Sequence, residues 1–186
     1  MLRVIGGSAK GRRLRLPKGA GTRPTSDKVR EALFNILASL GGVEGARVLD
    51  LYAGSGALGI EALSRGAAWA DFVERDRAAC QVVRHNLTVT DLASRAGVHC
   101  LPAERAPGRL TGPYGLVLAD PPYTDPQAAA VLDRVARSDL VEPGTVLVYE
   151  HAARSAPPES LGPFGRVLTR RHGDTAISIY RQVGGV

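Results

Sequence analysis

Aromatic side chains make up only 5% of the 186 residues, and cysteine occurs twice. Cys80 and Cys100 show no CxxC or other metal-ligand spacing, which excludes a zinc ribbon and argues against a disulfide framework. Both read as packing residues in a reduced, cytoplasmic compartment. No apolar run approaches the ~20 residues of a membrane helix, so no membrane partner is expected. Met1-Leu2-Arg3-Val4-Ile5-Gly6-Gly7 lacks the apolar stretch of a secretory leader. His85, His99, His151 and His172 are scattered without the i,i+4 pairing of a metal site, so no metal is expected. Acidic residues are scarce at one end: positions 1–30 hold nine Lys or Arg and a single acid, Asp27. The other positions hold 15 basic and 17 acidic residues, so the net charge of +6 belongs to a basic N-terminal segment on a nearly neutral body. That distribution suits a polyanion such as nucleic acid.

With 44% hydrophobic and 23% charged residues, the chain has the composition and length of a globular protein with one substantial core. The basic segment alternates around Leu2–Ile5 and Arg12–Leu16, on either side of the turn-rich Gly6-Gly7-Ser8-Ala9-Lys10-Gly11, which predicts a β-hairpin. Leu14 and Leu16 share one expected face, with Arg13 and Arg15 on the other. Thr25-Ser26-Asp27 offers N-cap chemistry ahead of Val29, Leu33, Ile36, Leu37 and Leu40 at helical spacing, and Gly41-Gly42 ends that helix. Strands are expected at 47–51, 69–74, 98–101, 115–119 and 145–149, alternating with helices at 57–64, 76–91 and 127–137. This rhythm predicts an α/β fold with a mostly parallel, Rossmann-like sheet covered on both faces. Segments 165–171 and 176–181, joined by Gly173-Asp174, predict a C-terminal antiparallel hairpin that brings the sheet to seven strands. The division expected is a basic N-terminal hairpin and helix over 1–40 and a cofactor-binding domain over 41–186.

Val48-Leu49-Asp50-Leu51-Tyr52-Ala53-Gly54-Ser55-Gly56-Ala57-Leu58-Gly59 carries a strand into a helix through glycines. The Gly54-x-Gly56-x-x-Gly59 spacing, with Glu74 placed 20 residues after Gly54, also matches the dinucleotide fingerprint. Asp50 weighs against that alternative. A carboxylate near the turn would repel a pyrophosphate, whereas the ammonium of S-adenosylmethionine would find a counter-ion there. Glu74, at the next strand end, has the acceptors to take both ribose hydroxyls. A purely structural turn is the bland reading, and the acids flanking the loop on both sides speak against it.

Leu116-Val117-Leu118-Ala119 runs into Asp120-Pro121-Pro122-Tyr123. Proline cannot continue a central strand, so the chain leaves the sheet at its carboxyl end, where open α/β sheets bind ligands. Two prolines stiffen the turn and direct the Asp120 carboxylate and nearby carbonyls at one point, with the Tyr123 ring beside them. A carboxylate, a rigid carbonyl and an aromatic plane suit a planar group bearing an exocyclic amine.

With these motifs the chain resembles the class I S-adenosylmethionine-dependent methyltransferases that modify amino groups of bases. The block Arg23-Pro24-Thr25-Ser26-Asp27-Lys28-Val29-Arg30-Glu31-Ala32-Leu33-Phe34-Asn35 is more specific and resembles the RsmD family of bacterial 16S rRNA guanine-N2 methyltransferases. Arg3-Val4-Ile5-Gly6-Gly7 and Gly173-Asp174-Thr175-Ala176 resemble the same family. The resemblance implies that Asp50, Ala53, Gly54, Ser55 and Gly56 hold the methionine part of S-adenosylmethionine and that Glu74 holds its ribose. Asp120 and Pro121, with Pro122 and Tyr123, would engage the target amine and base. Arg3, Lys10, Arg12, Arg13, Arg15, Arg23, Lys28 and Arg30 would face 16S rRNA, free or within the small ribosomal subunit, and the protein is expected to act as a monomer. Where the family's third motif carries Asp or Asn, this chain reads Leu101-Pro102-Ala103-Glu104, which leaves adenine recognition to the backbone near Ala103 or to Glu104. An adenine-N6 methyltransferase and a non-catalytic RNA-binding or ribosome-assembly protein are the alternatives.

Overall fold

A sheet whose strands are apolar on both faces has to be covered on both, and that requirement organises this chain. The computed structural model describes residues 1–18 and 26–182. Its elements are α1 (Asp27–Ser39), β1 (Arg47–Leu51), α2 (Ala57–Ser64), β2 (Trp69–Glu74), α3 (Arg77–Val89), β3 (Ala96–Cys100), β4 (Tyr114–Ala119), α4 (Ala128–Ala136), β5 (Val141–Ala152), β6 (Ser160–Leu161), β7 (Phe164–His172) and β8 (Thr175–Gln182). The strands form one sheet in the order β3-β2-β1-β4-β5-β8-β7-β6. The first five are parallel, and β8, β7 and β6 continue antiparallel. The α/β class with a C-terminal hairpin is as expected. The eighth strand, β6, is a two-residue edge segment too short to leave a sequence pattern.

Alternation along the strands sends side chains to two cores. Val48, Phe72, Leu116, Leu118, Val146 and Val148 pack under α1, α2 and α3. Leu49, Leu51, Val73, Val117 and Leu147 pack against Val131, Leu132 and Val135 of α4. The α1 helix starts at Ser26, whose hydroxyl accepts from the Val29 N–H, and it buries Val29, Leu33 and Leu37 of the expected face together with Phe34, while Ile36 and Leu40 are half-buried. β5 runs three residues past its expected end because Glu150, His151 and Ala152 pair with Ile177, Ala176 and Thr175 of β8. Among the described residues, no helix is long and apolar enough to cross a membrane.

Two expectations are corrected. Cys80 and Cys100 are joined by a disulfide, with Cα atoms 6.2 Å apart. Cys100 lies opposite Glu74 in the β2–β3 register, and Cys80 follows on the first turn of α3, a proximity that no spacing motif encodes. Leu16 is 46% exposed rather than buried beside Leu14. Pairing within the hairpin stops at Leu14 N–H to Leu2 C=O, and beyond it the chain leaves that face.

The N-terminal hairpin is joined to the body by apolar packing and buried polar bonds together. Leu2, Val4, Ala9 and Leu14 enter the same core as α1, α2 and α3. Glu61, fully buried in α2, accepts from the backbone N–H groups of Ile5 and Gly6, both at 2.8 Å, and pairs with Arg65. Ser64 accepts from Ala9 N–H at 2.9 Å, and its carbonyl accepts from Ser8 N–H at 2.8 Å. Asn86 of α3 clasps the Arg15 backbone in both directions, accepting at 2.8 Å and donating at 3.0 Å. Arg30 is fully buried and donates to the Arg3 carbonyl and to Asp27, so it braces α1 against the hairpin.

Glu61→Ala removes the acceptor of two half-buried N–H groups, and an unsatisfied donor costs roughly 1–3 kcal/mol. Urea unfolding of Glu61→Ala should therefore show a loss of at least ~2 kcal/mol, with Glu61→Gln losing less because it keeps one acceptor oxygen. Equal stability of the alanine variant and the unaltered chain would contradict this joint.

Candidate active site

Four strand ends meet at one edge of the sheet. In register, Leu51 of β1 lies beside Val73 of β2 and Ala119 of β4, and Ala119 lies beside Tyr149 of β5. The residues that follow these positions, Glu74, the glycine loop, Asp120 and Glu150, therefore emerge side by side. This is the carboxyl edge of the parallel strands, where the chain must turn back into a helix and side chains are free to face a ligand.

The loop between β1 and α2 is held in an unusual backbone conformation. Tyr52, Gly54 and Gly56 all have positive φ, at 60°, 55° and 78°. Glycine adopts this region freely, whereas Tyr52 is held there at a cost, as is common where a backbone is pre-shaped for a ligand. Glu74 secures the loop, accepting from Gly54 N–H at 2.9 Å and from Asp76 N–H at 2.8 Å. Asp76 in turn caps α3. Asn86, the side chain that clasps Arg15, also donates to the Ser55 carbonyl at 2.8 Å. One buried amide thus connects the glycine loop to the basic hairpin.

Asp50 is almost wholly buried beneath the loop, where its Oδ2 accepts from Gly59 N–H at 2.9 Å. Burial drives its pKa well above the ordinary carboxylate value, and the neighbouring Asp120 and Glu74 push it further, against the Gly59 hydrogen bond. Its first task is to tie the strand end to α2. Ala53 and Ala103 are buried, and Ala103 opens the single 3-10 turn Ala103–Arg105 that follows β3 at the same edge.

Across from the loop, Asp120, Pro121, Pro122 and Tyr123 leave β4. Pro121 is buried, while Tyr123 is 45% exposed and its hydroxyl shares a 2.6 Å hydrogen bond with Thr175 Oγ1. Burial raises the Tyr123 pKa, and the Glu150 and Asp120 carboxylates add to the shift, so the phenol stays protonated at neutral pH. A cleft opens here between the proline turn and the end of β5, with Tyr149, Glu150 and His151 on its β5 side. His151 is buried, and burial lowers its pKa. The neutral ring donates from Nδ1 to the Ala152 carbonyl and accepts at Nε2 from Ser178.

The structure thus brings together the residues expected to hold the cofactor and those expected to hold the amine. The basic set is split. Arg3, Lys10, Arg12, Arg13, Arg15 and Lys28 are exposed, Arg30 is buried, and Arg23 lies outside the described residues. Sequence reasoning missed Glu61, Asn86 and Glu150. Each is a polar residue inside an otherwise ordinary helix or strand pattern, and only its burial marks it.

Two features of this edge fit a nucleoside-type cofactor. A Cβ built on Gly54 would meet only the Tyr52 carbonyl, at 3.9 Å, so glycine there keeps a cradle open rather than relieving a clash. The Tyr52 hydroxyl is buried without a hydrogen-bond partner among the described residues, the kind of orphan that a bound polar group satisfies.

Comparison with known proteins gives concordant findings. The family described as "Conserved hypothetical protein 95" matches residues 2–181. A candidate rRNA methyltransferase of Bacillus subtilis (strain 168), YlbH, is 42% identical over 189 residues, covering 98% of this chain and 100% of its own length. Ribosomal RNA small subunit methyltransferase D of Escherichia coli (strain K12) is 46% identical over 122 residues, covering 66% of this chain and 60% of its own. Among solved structures, a candidate methyltransferase of Escherichia coli, yhhF, superposes with a TM-score of 0.85 at 33% identity, covering 97% of both chains.

The state of Asp50 makes a pH-dependent prediction. A carboxyl whose native pKa is raised supports the fold fully only below its unfolded value, and that support is lost as pH rises through the native value. Asp50→Asn keeps the acceptor for Gly59 and removes the charge. The variant should match the unaltered chain in melting temperature near pH 4 and exceed it at pH 8, by about 2–4 °C for each kcal/mol relieved. A variant less stable at pH 8 than at pH 4, relative to the unaltered chain, would contradict the assignment.

Proposed function

The chain belongs to the conserved hypothetical protein 95 family, the RsmD family, and on that premise we propose that it transfers a methyl group from S-adenosylmethionine to the exocyclic N2 amine of a guanine in 16S rRNA. The observation that carries this reading is the placement of the Asp120-Pro121-Pro122-Tyr123 turn at the same strand edge as the glycine loop. The substrate is rRNA, free or in the small ribosomal subunit, and the protein acts as a monomer in the cytoplasm.

The Gly54 cradle and the flanking backbone of Ala53, Ser55 and Gly56 would hold the cofactor's amino-acid part near the buried Asp50. Glu74 takes the ribose. Its two backbone contacts leave lone pairs on both carboxylate oxygens for hydroxyl donors. The bound cofactor supplies a methyl group on a positively charged sulfur. Everything else falls to the chain. A guanine amine is a weak nucleophile because its lone pair is delocalised into the ring. Asp120 and the Pro121 carbonyl accept from its two hydrogens, which turns the lone pair out of the ring plane and towards the methyl. Transfer of the methyl group to N2 would place positive charge on that nitrogen. Asp120 stabilises that charge and then takes the proton that N2 sheds. Tyr123 stacks on the base. Holding the two reactants close and aligned would supply much of the acceleration.

Asp120→Asn keeps the shape and one acceptor oxygen but loses the charge. It should lower single-turnover methyl transfer to unmodified small-subunit RNA by about 10²–10⁴-fold, the usual contribution of a positioned acid–base group, with cofactor affinity unchanged in calorimetry. Near-normal transfer by folded Asp120→Ala would contradict the mechanism.

The exposed arginines of the hairpin make a separate prediction. With Arg12, Arg13 and Arg15 changed to Gln, the log–log salt slope of rRNA binding should flatten by about 0.7–0.9 for each phosphate that is no longer neutralised. An unchanged slope would return these residues to an ordinary solvated face.

A further inference from the structure

The Gly173-Asp174-Thr175-Ala176 motif takes no part in the scheme above. It forms the tip of the β7–β8 hairpin. Gly173 has a φ of 61°, in the left-handed region that glycine adopts freely, and the two-residue turn brings His172 opposite Thr175. The tip is tied to the neighbouring strand. Thr175 pairs with Ala152 of β5, and beyond that pair the Asp174 carbonyl accepts from Ala153 N–H at 2.8 Å. Ile177 and Ile179 of β8 belong to the core on the α1 side, so alternation puts the Thr175 side chain on that face.

Tyr123 reaches this tip from the far side of the cleft. β5 lies between β4 and β8 in the sheet, so the ring crosses the end of β5 for its hydroxyl to meet Thr175 Oγ1 at 2.6 Å. The same hydroxyl is within hydrogen-bond reach of the Glu150 carboxylate on β5. The backbone end of Tyr123 is fixed as well. Pro121 and Pro122 precede it, and a turn closes around it through Asp125 N–H to the Pro122 carbonyl at 2.9 Å. A half-exposed tyrosine would otherwise exchange rotamers on the picosecond-to-nanosecond scale. Held at both ends, this ring forms a wall of the cleft before any ligand arrives.

We propose that Thr175 is a positioning residue for base capture: it pins the Tyr123 ring across the cleft, so that an entering base stacks on a surface already in place. The inference rests on the reading of Tyr123 as the stacking residue and holds whichever base is taken. The hydroxyl is the ring's furthest point from Cα, so a bond there fixes the tilt of the ring more effectively than any contact nearer the backbone. Ordering a free side chain during binding costs affinity, and a ring ordered by the fold has incurred that cost beforehand. Thr175 touches neither base nor cofactor in this scheme and acts through Tyr123 alone.

The test uses the intact protein and unmodified small-subunit RNA, free or in the assembled subunit. Methyl transfer is followed at subsaturating RNA, which gives kcat/KM, with melting temperature and calorimetric cofactor binding as checks on the fold. Thr175→Val keeps the branched shape and removes the hydroxyl. It should lower kcat/KM by about 3- to 10-fold, the effect of one hydrogen bond, at unaltered cofactor affinity. Thr175→Ser restores the hydroxyl and should recover most of that loss. Tyr123→Phe keeps the ring and should lose at least as much as Thr175→Val, because its hydroxyl carries both contacts. In the Tyr123→Phe background, Thr175→Val should then cost less than about twofold, since the bond it breaks is already gone. Equal losses in both backgrounds would overturn the proposal, because Thr175 would be acting on something other than Tyr123. So would a Thr175→Val protein within about twofold of normal. Near-normal transfer by folded Tyr123→Ala would instead overturn the stacking reading beneath it.

Discussion

Everything chemical in this protein depends on the parallel register of four adjacent strands, β2, β1, β4 and β5. Parallel strands cannot be linked by a tight turn, so each must leave the sheet at its carboxyl end and return through a longer connection. Because the strands pair without slippage near those ends, Glu74, the glycine loop, Asp120 and Glu150 are delivered to one line. A slip of one residue in β4 would turn Asp120 into the opposite core and present Ala119 instead. The apolar cores that hold the register are therefore as much a part of the site as its polar residues.

That edge concentrates negative charge. Asp50 answers by burial and a backbone hydrogen bond, and Glu74 by binding two backbone N–H groups. For these two residues the compensation is local, made by backbone N–H groups of the loops they hold. The net positive excess lies in residues 1–30, where the described hairpin exposes Arg3, Lys10, Arg12, Arg13 and Arg15. The two regions are physically joined: Asn86 holds Ser55 of the loop and Arg15 of the hairpin with one side chain.

Much of the architecture was legible because it rests on periodicity. Segments 47–51, 57–64 and 69–74 begin and end where alternation, glycine and helical spacing place them. The Asp120 turn was legible because two prolines can only end a central strand. What stayed hidden depended on contacts distant in sequence. Glu61 reads as an ordinary helix residue until Ile5 and Gly6 arrive to bond it, and Glu150-His151 reads as a polar strand end until β8 extends the pairing. Cys80 and Cys100 lack any motif spacing and meet only because α3 and β3 both pack at the end of β2. Leu16 failed in the opposite sense, since alternation continues two residues beyond the backbone pairing, which ends at Leu14.

The central claim is that this strand edge methylates the N2 amine of guanine, and it is tested most directly by identifying the product. Small-subunit RNA lacking the modification, free and in assembled subunits, would be incubated with the protein and isotopically labelled S-adenosylmethionine, then digested to nucleosides and resolved by mass spectrometry. The account predicts label in N2-methylguanosine at a single position. Label in N6-methyladenosine, or RNA binding with no transfer to either substrate, would contradict it.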